Sequence, residues 1–309
     1  MEAIRKIRER ARNAKKKIVL PEYKDKRVLE AFKMIKAEGV ADVTLLTPEM
    51  VAPQDKERYV EFFYNLRKSK GVTLDQAREM FEDPLFPAAM MVREGKFDGF
   101  VAGASHTTAD VCRAGIHCIG IDERLMIACS SFVMAFDNNR YAPEGALIYA
   151  DCGLLPDPNP RQLACIGVAA AELARKVLDL EPRIAFLSYS TKGSAEGRSI
   201  DRVREGVKIF KEMEPNLLVD GELQLDAAIV PDVAKIKTPG SAVAGNASVL
   251  IFPNLDAGNI GYKLTERLAG ARALGPLLMG LKNPCSDLSR GCSAEDVVDC
   301  VAVTAIRAR

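Results

Sequence analysis

Ten residues near the end of the sequence, DLSRGCSAED (287–296), hold two serines, an arginine, a cysteine and three carboxylates. Ser293 and Asp296 have the spacing of a helix capping box, with Asp in place of Glu. Asp296 therefore has two interpretations: a first-turn carboxylate favoured by the helix dipole, or a general base. Ser289 and Arg290 indicate anion binding, because a guanidinium matches phosphate oxygens. A turn serine beside a solvated arginine is the alternative.

Cys292 lies just before the same predicted helix. A helix N-terminus lowers a thiol pKa and so invites a nucleophile hypothesis. A nucleophile also needs a partner base, and neither His106 nor His117 is near in sequence. We therefore favour a small residue packed in a turn.

The segment GASHTTADVCRAG (103–115) follows a predicted strand. Its small and hydroxyl residues are Gly103, Ser105, Thr107 and Thr108. With Arg113 behind them they predict an anion-binding loop, although a capped helix with a surface arginine fits equally well. The pattern is not that of a P-loop. We expect His106 and His117 to be structural.

A second loop of this kind is SYSTKGSAEG (188–197), which also follows an apolar strand. Its candidate phosphate contacts are Ser190, Thr191, Lys192, Gly193 and Ser194. A plain strand-to-helix loop is the alternative interpretation. Several such loops with nearby basic residues favour a ligand that carries more than one phosphate.

A third stretch, residues 255–276, combines glycines with basic residues. Gly258 and Gly261 indicate close approach of another part of the chain. Lys263 and Arg267 lie at i and i+4 on one helix face. They are candidate substrate contacts, and a solvated basic face is the alternative.

The elements that must position these residues alternate along the chain. KIVLPE (17–22) predicts a buried strand, residues 26–39 a helix that stops at Gly39, and ADVTLL (41–46) another strand. This order is typical of α/β proteins with parallel strands. Further predicted strands are 97–105, 124–136, 146–152, 183–190, 226–230, 247–253 and 276–281. An Ala-rich helix is predicted over 160–180.

Composition excludes several classes of protein. The 309 residues are 48% hydrophobic and 28% charged, with a net charge of +1, so no basic field favours nucleic acid. No apolar run reaches the roughly 18 residues of a membrane span. The basic N-terminus predicts an amphipathic helix rather than a transit peptide. Eight cysteines without a CxxC pair, and only two histidines, predict free thiols in the cytoplasm and no zinc site.

Taken together, the long segments of the chain resemble the phosphate acetyltransferase (phosphotransacetylase) family, to which phosphate butyryltransferases are related. The segments that carry the resemblance are KIVLPE, FFYNLRKSKGVTLDQAREMFEDP, DGFVAGASHTTAD, YADCGLLPDPNPRQLA, FLSYSTKGSAEG, DGELQLDAAIVP, LIFPNLDAGNIGYKLTERLAGA and DLSRGCSAED.

The resemblance implies reversible transfer of an acetyl group between acetyl phosphate and coenzyme A. It implies two three-layer α/β/α domains like those of isocitrate and isopropylmalate dehydrogenases, with the site in the cleft between them. Domain I would comprise residues 1–124 and 280–309, and domain II residues 125–279. A homodimer through domain II, no permanently bound cofactor and no metal are further expectations.

The resemblance also assigns roles to residues. Asp296 matches the base that takes the CoA thiol proton, and Ser289 the residue that orients the thiol or the developing oxyanion. Arg290 matches an arginine that binds phosphate or CoA, and Arg113 and Arg267 match two more. Cys292 matches a cysteine that the family does not use as a nucleophile.

Three alternatives stay open at this stage. A butyryl or propionyl transferase would share the mechanism, and Ala114, where the family more often has proline, leaves the acyl preference undetermined. A decarboxylating dehydrogenase would need a Tyr/Lys pair, which Tyr262–Lys263 imitates, and an aspartate cluster that we do not find. A non-catalytic CoA-sensing domain would be expected to lack Asp296, Ser289 or the arginines. The physiological direction and the pathway are not determined by the sequence.

Overall fold

The computed structural model describes residues 1–308, apart from the side chain of Pro143. Its strands are β1 (Lys17–Leu20), β2 (Asp42–Leu45), β3 (Gly99–Ala102), β4 (Cys129–Ala135), β5 (Ala146–Ala150), β6 (Arg183–Leu187), β7 (Leu218–Leu223), β8 (Val249–Ile251), β9 (Arg272–Met279) and β10 (Cys285–Asp287). The alternation of strands and helices confirms the α/β prediction.

The α-helices fill most of the segments between strands. They are α1 (Glu2–Ala14), α2 (Lys26–Glu38), α3 (Pro53–Arg67), α4 (Leu74–Met80), α5 (Leu85–Arg93), α6 (Thr108–Ala114), α7 (Pro160–Leu173), α8 (Arg198–Met213), α9 (Leu225–Ile229), α10 (Pro231–Lys237), α11 (Leu255–Ala269) and α12 (Ala294–Arg307). None of the helices within residues 1–308 has the length and apolar character needed to cross a membrane.

The chain divides into two compact units. We call Ile7–Glu123 with Leu281–Arg309 the terminal unit, and Met1–Lys6 with Arg124–Gly280 the middle unit. The first six residues thus belong with the middle of the chain. The domain borders expected from the family resemblance, between residues 124 and 125 and between residues 279 and 280, stay a prediction.

The terminal unit is built on a parallel sheet in the order β2-β1-β3-β10. Its strands are short and mostly buried, as expected for strands that are covered on both faces. Helices α2 and α12 pack on each other and α12 packs on β3, while α5 and α6 lie against β3 and β10. Because the strands are parallel, the loops that follow β1, β3 and β10 meet at one edge. The candidate residues of this unit lie in the loops after β3 and β10 or in the helices that follow them, α6 and α12.

The middle unit contains the strand order β9-β4-β5-β8-β6-β7. Strand β4 runs antiparallel to both β5 and β9, whereas the remaining pairs are parallel. The Ala-rich helix α7 is buried along most of its length and packs on α8. Close packing of these helices is possible because Gly206 of α8 faces the Leu163 side chain of α7.

Two predictions about elements need correction. The segment DAAIV (226–230), predicted as a strand, lies mostly in helix α9. The Asp226 carboxylate accepts a hydrogen bond from the Ala227 N–H in the first helical turn, and two alanines favour the helix. Strands β7 and β10 were not predicted, since β10 has three residues and β7 contains glycine and acidic residues.

The predicted close approach at Gly258 is confirmed. A Cβ atom at Gly258 would overlap the carbonyl oxygen of Asp151, whereas a Cβ at Gly261 would lie 3.0 Å from the Phe252 ring. The backbone of α11 therefore lies directly against the loop that follows β5.

We expect Gly258→Ala to destabilise the protein by about 1–3 kcal/mol, because a backbone carbonyl must move to admit the methyl group. Gly261→Ala is the matched control on the same helix, where the Phe252 ring can shift instead. Urea unfolding of both variants measures the difference. Equal stabilities would contradict the packing described for Gly258.

Candidate active site

The loop after β10 leads into α12 and carries the residues of the DLSRGCSAED motif. Ser293 caps α12, and its hydroxyl oxygen accepts a hydrogen bond from the Asp296 N–H at 3.2 Å. Asp296 Oδ2 in turn accepts from the Ser293 N–H at 2.9 Å and from the Ser293 hydroxyl at 2.8 Å. The predicted capping box is confirmed, and it fixes the orientation of a half-buried carboxylate.

Ser289 and Arg290 are exposed in the same loop. The Ser289 hydroxyl oxygen accepts a hydrogen bond from the Gly291 N–H at 3.3 Å. No ion pair or hydrogen bond involves the Arg290 side chain within the described part of the chain. An exposed guanidinium without an internal partner is available for an anionic ligand.

Cys292 is 7% exposed, and burial raises the pKa of its thiol to about 11. The thiol is therefore protonated at neutral pH and is a poor nucleophile. The prediction of a small packed residue is confirmed.

The loop after β3 is organised by a carboxylate from the loop after β1. Glu22 accepts hydrogen bonds from four consecutive backbone N–H groups, those of residues 103–106, at 2.7–3.1 Å. Burial alone would raise the pKa of Glu22, but hydrogen bonds from His106 and these N–H groups hold it at about 2. The loop after β3 therefore does bind an anion, which is the carboxylate of Glu22.

His106 lies between two carboxylates. Its Nδ1 is 2.8 Å from Glu22 Oε1, and its Nε2 is 2.9 Å from Asp83 Oδ2. The bond to Asp83 and then that to Glu22 raise the pKa of His106 to about 10. An imidazolium at neutral pH cannot accept a proton, so the structural role predicted for His106 is confirmed.

The hydroxyl residues of this segment also have internal partners. Ser105 donates its hydroxyl to Glu22 at 3.0 Å, and Thr107 caps α6 through Asp110. The Thr108 hydroxyl donates to Asp287 Oδ2 at 2.6 Å. Asp287 is fully buried, and burial raises its pKa to about 7. Phosphate binding by these three hydroxyls stays a prediction, and each would first have to release the partner named here.

The loop after β6, in the middle unit, repeats this arrangement. Glu222 accepts hydrogen bonds from the Gly193 N–H at 2.9 Å and the Ser190 hydroxyl at 3.0 Å, and Arg204 forms an ion pair with it. Burial would raise the pKa of Glu222, but these partners hold it at about 2. Thr191 donates its hydroxyl to Gln224 at 3.2 Å.

The predicted cations of the middle unit have few partners. Lys192 forms an ion pair with Asp220. Arg267 is exposed on α11, with Nε 3.5 Å from Glu266. Lys263, also exposed, places its ammonium 5.8 Å from the Tyr262 ring centroid. Their role as substrate contacts stays a prediction.

The terminal unit contains a cavity of about 450 Å³, and one of the residues that line it is Arg113, a predicted substrate contact. Arg113, whose Nη1 is 2.8 Å from Asp110, lines this cavity together with Arg67 and His117. Burial lowers the pKa of His117 to about 4, and its Nδ1 is buried without a hydrogen-bond partner among residues 1–308. No local sequence pattern identifies Arg67 as a site residue, although it lies within a segment that carries the family resemblance. No cluster of three or more potential metal ligands occurs in the described residues.

Known proteins are similar in sequence to this chain over its full length. The family model described as Phosphate acetyl/butaryl transferase matches residues 2–305. A phosphate acetyltransferase of Thermoanaerobacterium thermosaccharolyticum is 44% identical over 328 aligned positions, which cover 100% of both chains. A solved phosphotransacetylase of Streptococcus pyogenes is 38% identical, with a TM-score of 0.89 over 98% of this chain and 97% of that one.

A more distant structure bears on the fold alone. A 4-hydroxythreonine-4-phosphate dehydrogenase of Klebsiella pneumoniae is 14% identical, with a TM-score of 0.52 over 94% of this chain and 98% of that one. The predicted dehydrogenase-like fold class is confirmed.

We expect His106→Gln to lower the free energy of unfolding by about 3 kcal/mol at pH 7, because Glu22 and Asp83 lose the cation between them. A histidine whose pKa is raised on folding stabilises most below pH 6.5, and this stabilisation is lost as pH rises through about 10. The difference between wild type and variant should therefore shrink over that interval.

Urea unfolding at several pH values measures this difference, with His117→Gln as the control. A constant difference from pH 6 to pH 10 would show that the charge of His106 contributes nothing.

Proposed function

Because the chain belongs to the phosphate acetyl/butyryl transferase family, we propose that it is a phosphate acetyltransferase, an acyltransferase that moves an acetyl group reversibly between acetyl phosphate and coenzyme A. The observation that carries this proposal is the loop after β10. There Ser289 and Arg290, whose guanidinium has no partner among the described residues, precede the oriented carboxylate of Asp296. The predicted function agrees with the names of its full-length relatives.

Asp296 is the proposed general base. A free thiol has a pKa of about 8.5 and is mostly protonated at pH 7. The carboxylate takes the thiol proton as the sulfur attacks the acetyl carbonyl carbon. A carbon–sulfur bond forms, the bond from the acetyl carbon to the phosphate oxygen breaks, and phosphate leaves with the electron pair. The contacts with Ser293 hold the carboxylate in place, so capping and catalysis coexist.

Arg290 and Ser289 are proposed to stabilise the charges that develop in this step. The guanidinium of Arg290 neutralises charge on the leaving phosphate. The Ser289 hydroxyl orients the thiol or donates to the developing oxyanion. Holding both substrates together removes much of the entropic cost of the reaction.

The cavity lined by Arg113 and Arg67 is the proposed site for an anionic part of coenzyme A. Two guanidiniums and apolar side chains such as Phe63 line one space, which suits a nucleotide that carries phosphates. The remaining candidates, in both units, stay proposed substrate contacts on the family resemblance alone. They are Ser105, Thr107, Thr108, Ser190, Thr191, Lys192, Gly193, Lys263 and Arg267.

We also propose that the protein is a cytoplasmic homodimer that needs no permanently bound cofactor. Support for the dimer comes from α11 in the middle unit, which exposes Ile260 (58%), Leu264 (51%) and Leu268 (81%) at i, i+4 and i+8. Such an apolar stripe is costly to leave in water. A second copy of this chain is the proposed partner.

We expect light scattering to give about twice the chain mass of 33.7 kDa. Leu264→Glu places a charge within the stripe and should yield monomers. Leu218→Glu, at an exposed leucine on β7, is the control that should remain dimeric. A monomeric wild type, or a dimeric Leu264→Glu variant, would contradict the proposal.

The first assay is acyl-CoA formation from CoA and acetyl, propionyl or butyryl phosphate at neutral pH without added metal. Acetyl phosphate should react fastest. Asp296→Asn should lower kcat by about 10²- to 10⁴-fold, because the base is lost while the Asn side-chain oxygen can still accept the hydrogen bond from the Ser293 N–H of the capping box. Glu295→Gln, at the neighbouring carboxylate, is the control and should retain activity.

Each alternative has its own outcome in this assay. A preference for butyryl phosphate would assign the chain to the sibling activity with the same mechanism. CoA binding without product from any donor would indicate a sensing domain. Full activity of Asp296→Asn would exclude Asp296 as the base.

A further inference from the structure

Arg27, at the start of α2, uses all five of its guanidinium N–H donors within the terminal unit. Nε and Nη2 donate to the two carboxylate oxygens of Asp25 at 3.1 and 2.7 Å. Nη1 donates to the carbonyl oxygens of Arg290 at 2.6 Å and of Cys292 at 3.2 Å. Nη2 also donates to the carbonyl oxygen of Ala104 at 2.6 Å. A guanidinium has five such donors, so none is left for a ligand.

The acceptors belong to three different loops. Asp25 follows β1, Ala104 follows β3, and Arg290 and Cys292 follow β10. These loops meet at one edge of the parallel sheet. A single cation therefore joins segments that are 77 and 263 residues away in sequence from Arg27.

The two carbonyls held after β10 lie on either side of Gly291. Residues 289–291 are exposed, so little side-chain packing restrains their backbone. A hydrogen bond to the carbonyl of Arg290 fixes the peptide plane that follows Arg290. The bond to Cys292 fixes the plane at the entry to the Ser293 cap. Together, these two hydrogen bonds restrict the backbone rotations that set the positions of the Ser289 and Arg290 side chains.

We propose that Arg27 is a positioning residue for the acyl transfer, which holds the loop after β10 so that Ser289 and Arg290 meet the substrates. This inference rests on the proposed function for its kinetic consequence, although the restraint on the loop does not depend on it. Asp25 orients the guanidinium by binding two of its nitrogens, so Asp25 belongs to the same device.

Arg27→Lys tests the proposal, because lysine keeps the charge but cannot reach five acceptors in a planar fork. We expect kcat/KM for acetyl phosphate to fall about ten- to a hundredfold, since small displacements of a site are costly. In the Ser289→Ala background the same substitution should cost much less, because both changes act on one loop. A merely structural role would give equal losses in both backgrounds.

The matched control is Arg12→Lys, where Nε also donates to a backbone carbonyl, that of Glu38, at 2.7 Å. This variant should keep wild-type kcat/KM. Asp25→Asn is a second test variant, in which the cap of α2 survives but the guanidinium is less firmly oriented. Asp25→Asn should also lower kcat/KM for acetyl phosphate, by a smaller factor than Arg27→Lys. It replaces Arg27→Lys as the test variant if Arg27→Lys fails to fold.

Hydrogen exchange tests the restraint without an assay of activity. The Leu288 and Cys292 N–H groups donate to Ala102 and Ser289 carbonyl oxygens at 2.8 and 2.9 Å and should be protected in the wild type. Both should exchange faster in Arg27→Lys, while α8 in the middle unit is unchanged. Unaltered exchange together with wild-type kcat/KM would overturn the proposal. A wild type that makes no acyl-CoA would refute the proposed function alone, since exchange would still report on Arg27.

Discussion

A carboxylate buried at the end of a strand must find enough donors to offset the loss of water, and this requirement shapes the loops of the protein. Glu22 collects four backbone N–H groups of residues 103–106. Asp151, just after β5, accepts from the N–H groups of Ser130, Gly153, Leu154 and Leu155. Glu222 accepts from Gly193, Ser190 and Arg204. An unmatched buried charge would cost several kcal/mol, so each carboxylate fixes the conformation of its loop.

This constraint explains why loops rich in glycine, serine and threonine resemble phosphate-binding loops. The chemistry that favours phosphate is a set of convergent N–H and O–H donors, and an internal carboxylate satisfies the same donors. Gly103 illustrates how tightly the loop is built, since a Cβ there would overlap the Asp287 carboxylate. The sequence pattern identifies an anion-binding loop, but it does not identify the anion.

The parts of the structure that the sequence predicts are those encoded by neighbouring residues. The capping box of Ser293 and Asp296, the helix that ends at Gly39, and the buried strand β1 all follow from local spacing. Glu22 and His106 are 84 residues apart, and no local sequence pattern predicts their contact. Strand β10 is too short for periodicity to reveal, although the motif that follows it is the most informative stretch of the sequence.

The arginines show how the same side chain serves opposite purposes, and why sequence alone separates them poorly. Arg290 belongs to a recognisable motif, and its guanidinium has no internal partner within residues 1–308. Arg27 belongs to no motif that we identified, and every donor of its guanidinium is used. The hydrogen bonds of each guanidinium distinguish these roles. A guanidinium whose five N–H donors all bind protein acceptors has a structural role, whereas one with unused donors in an exposed loop is available to bind an anion. The proposed role of Arg290 in binding an anion is thus matched by the proposed role of Arg27 in holding the loop that carries Arg290.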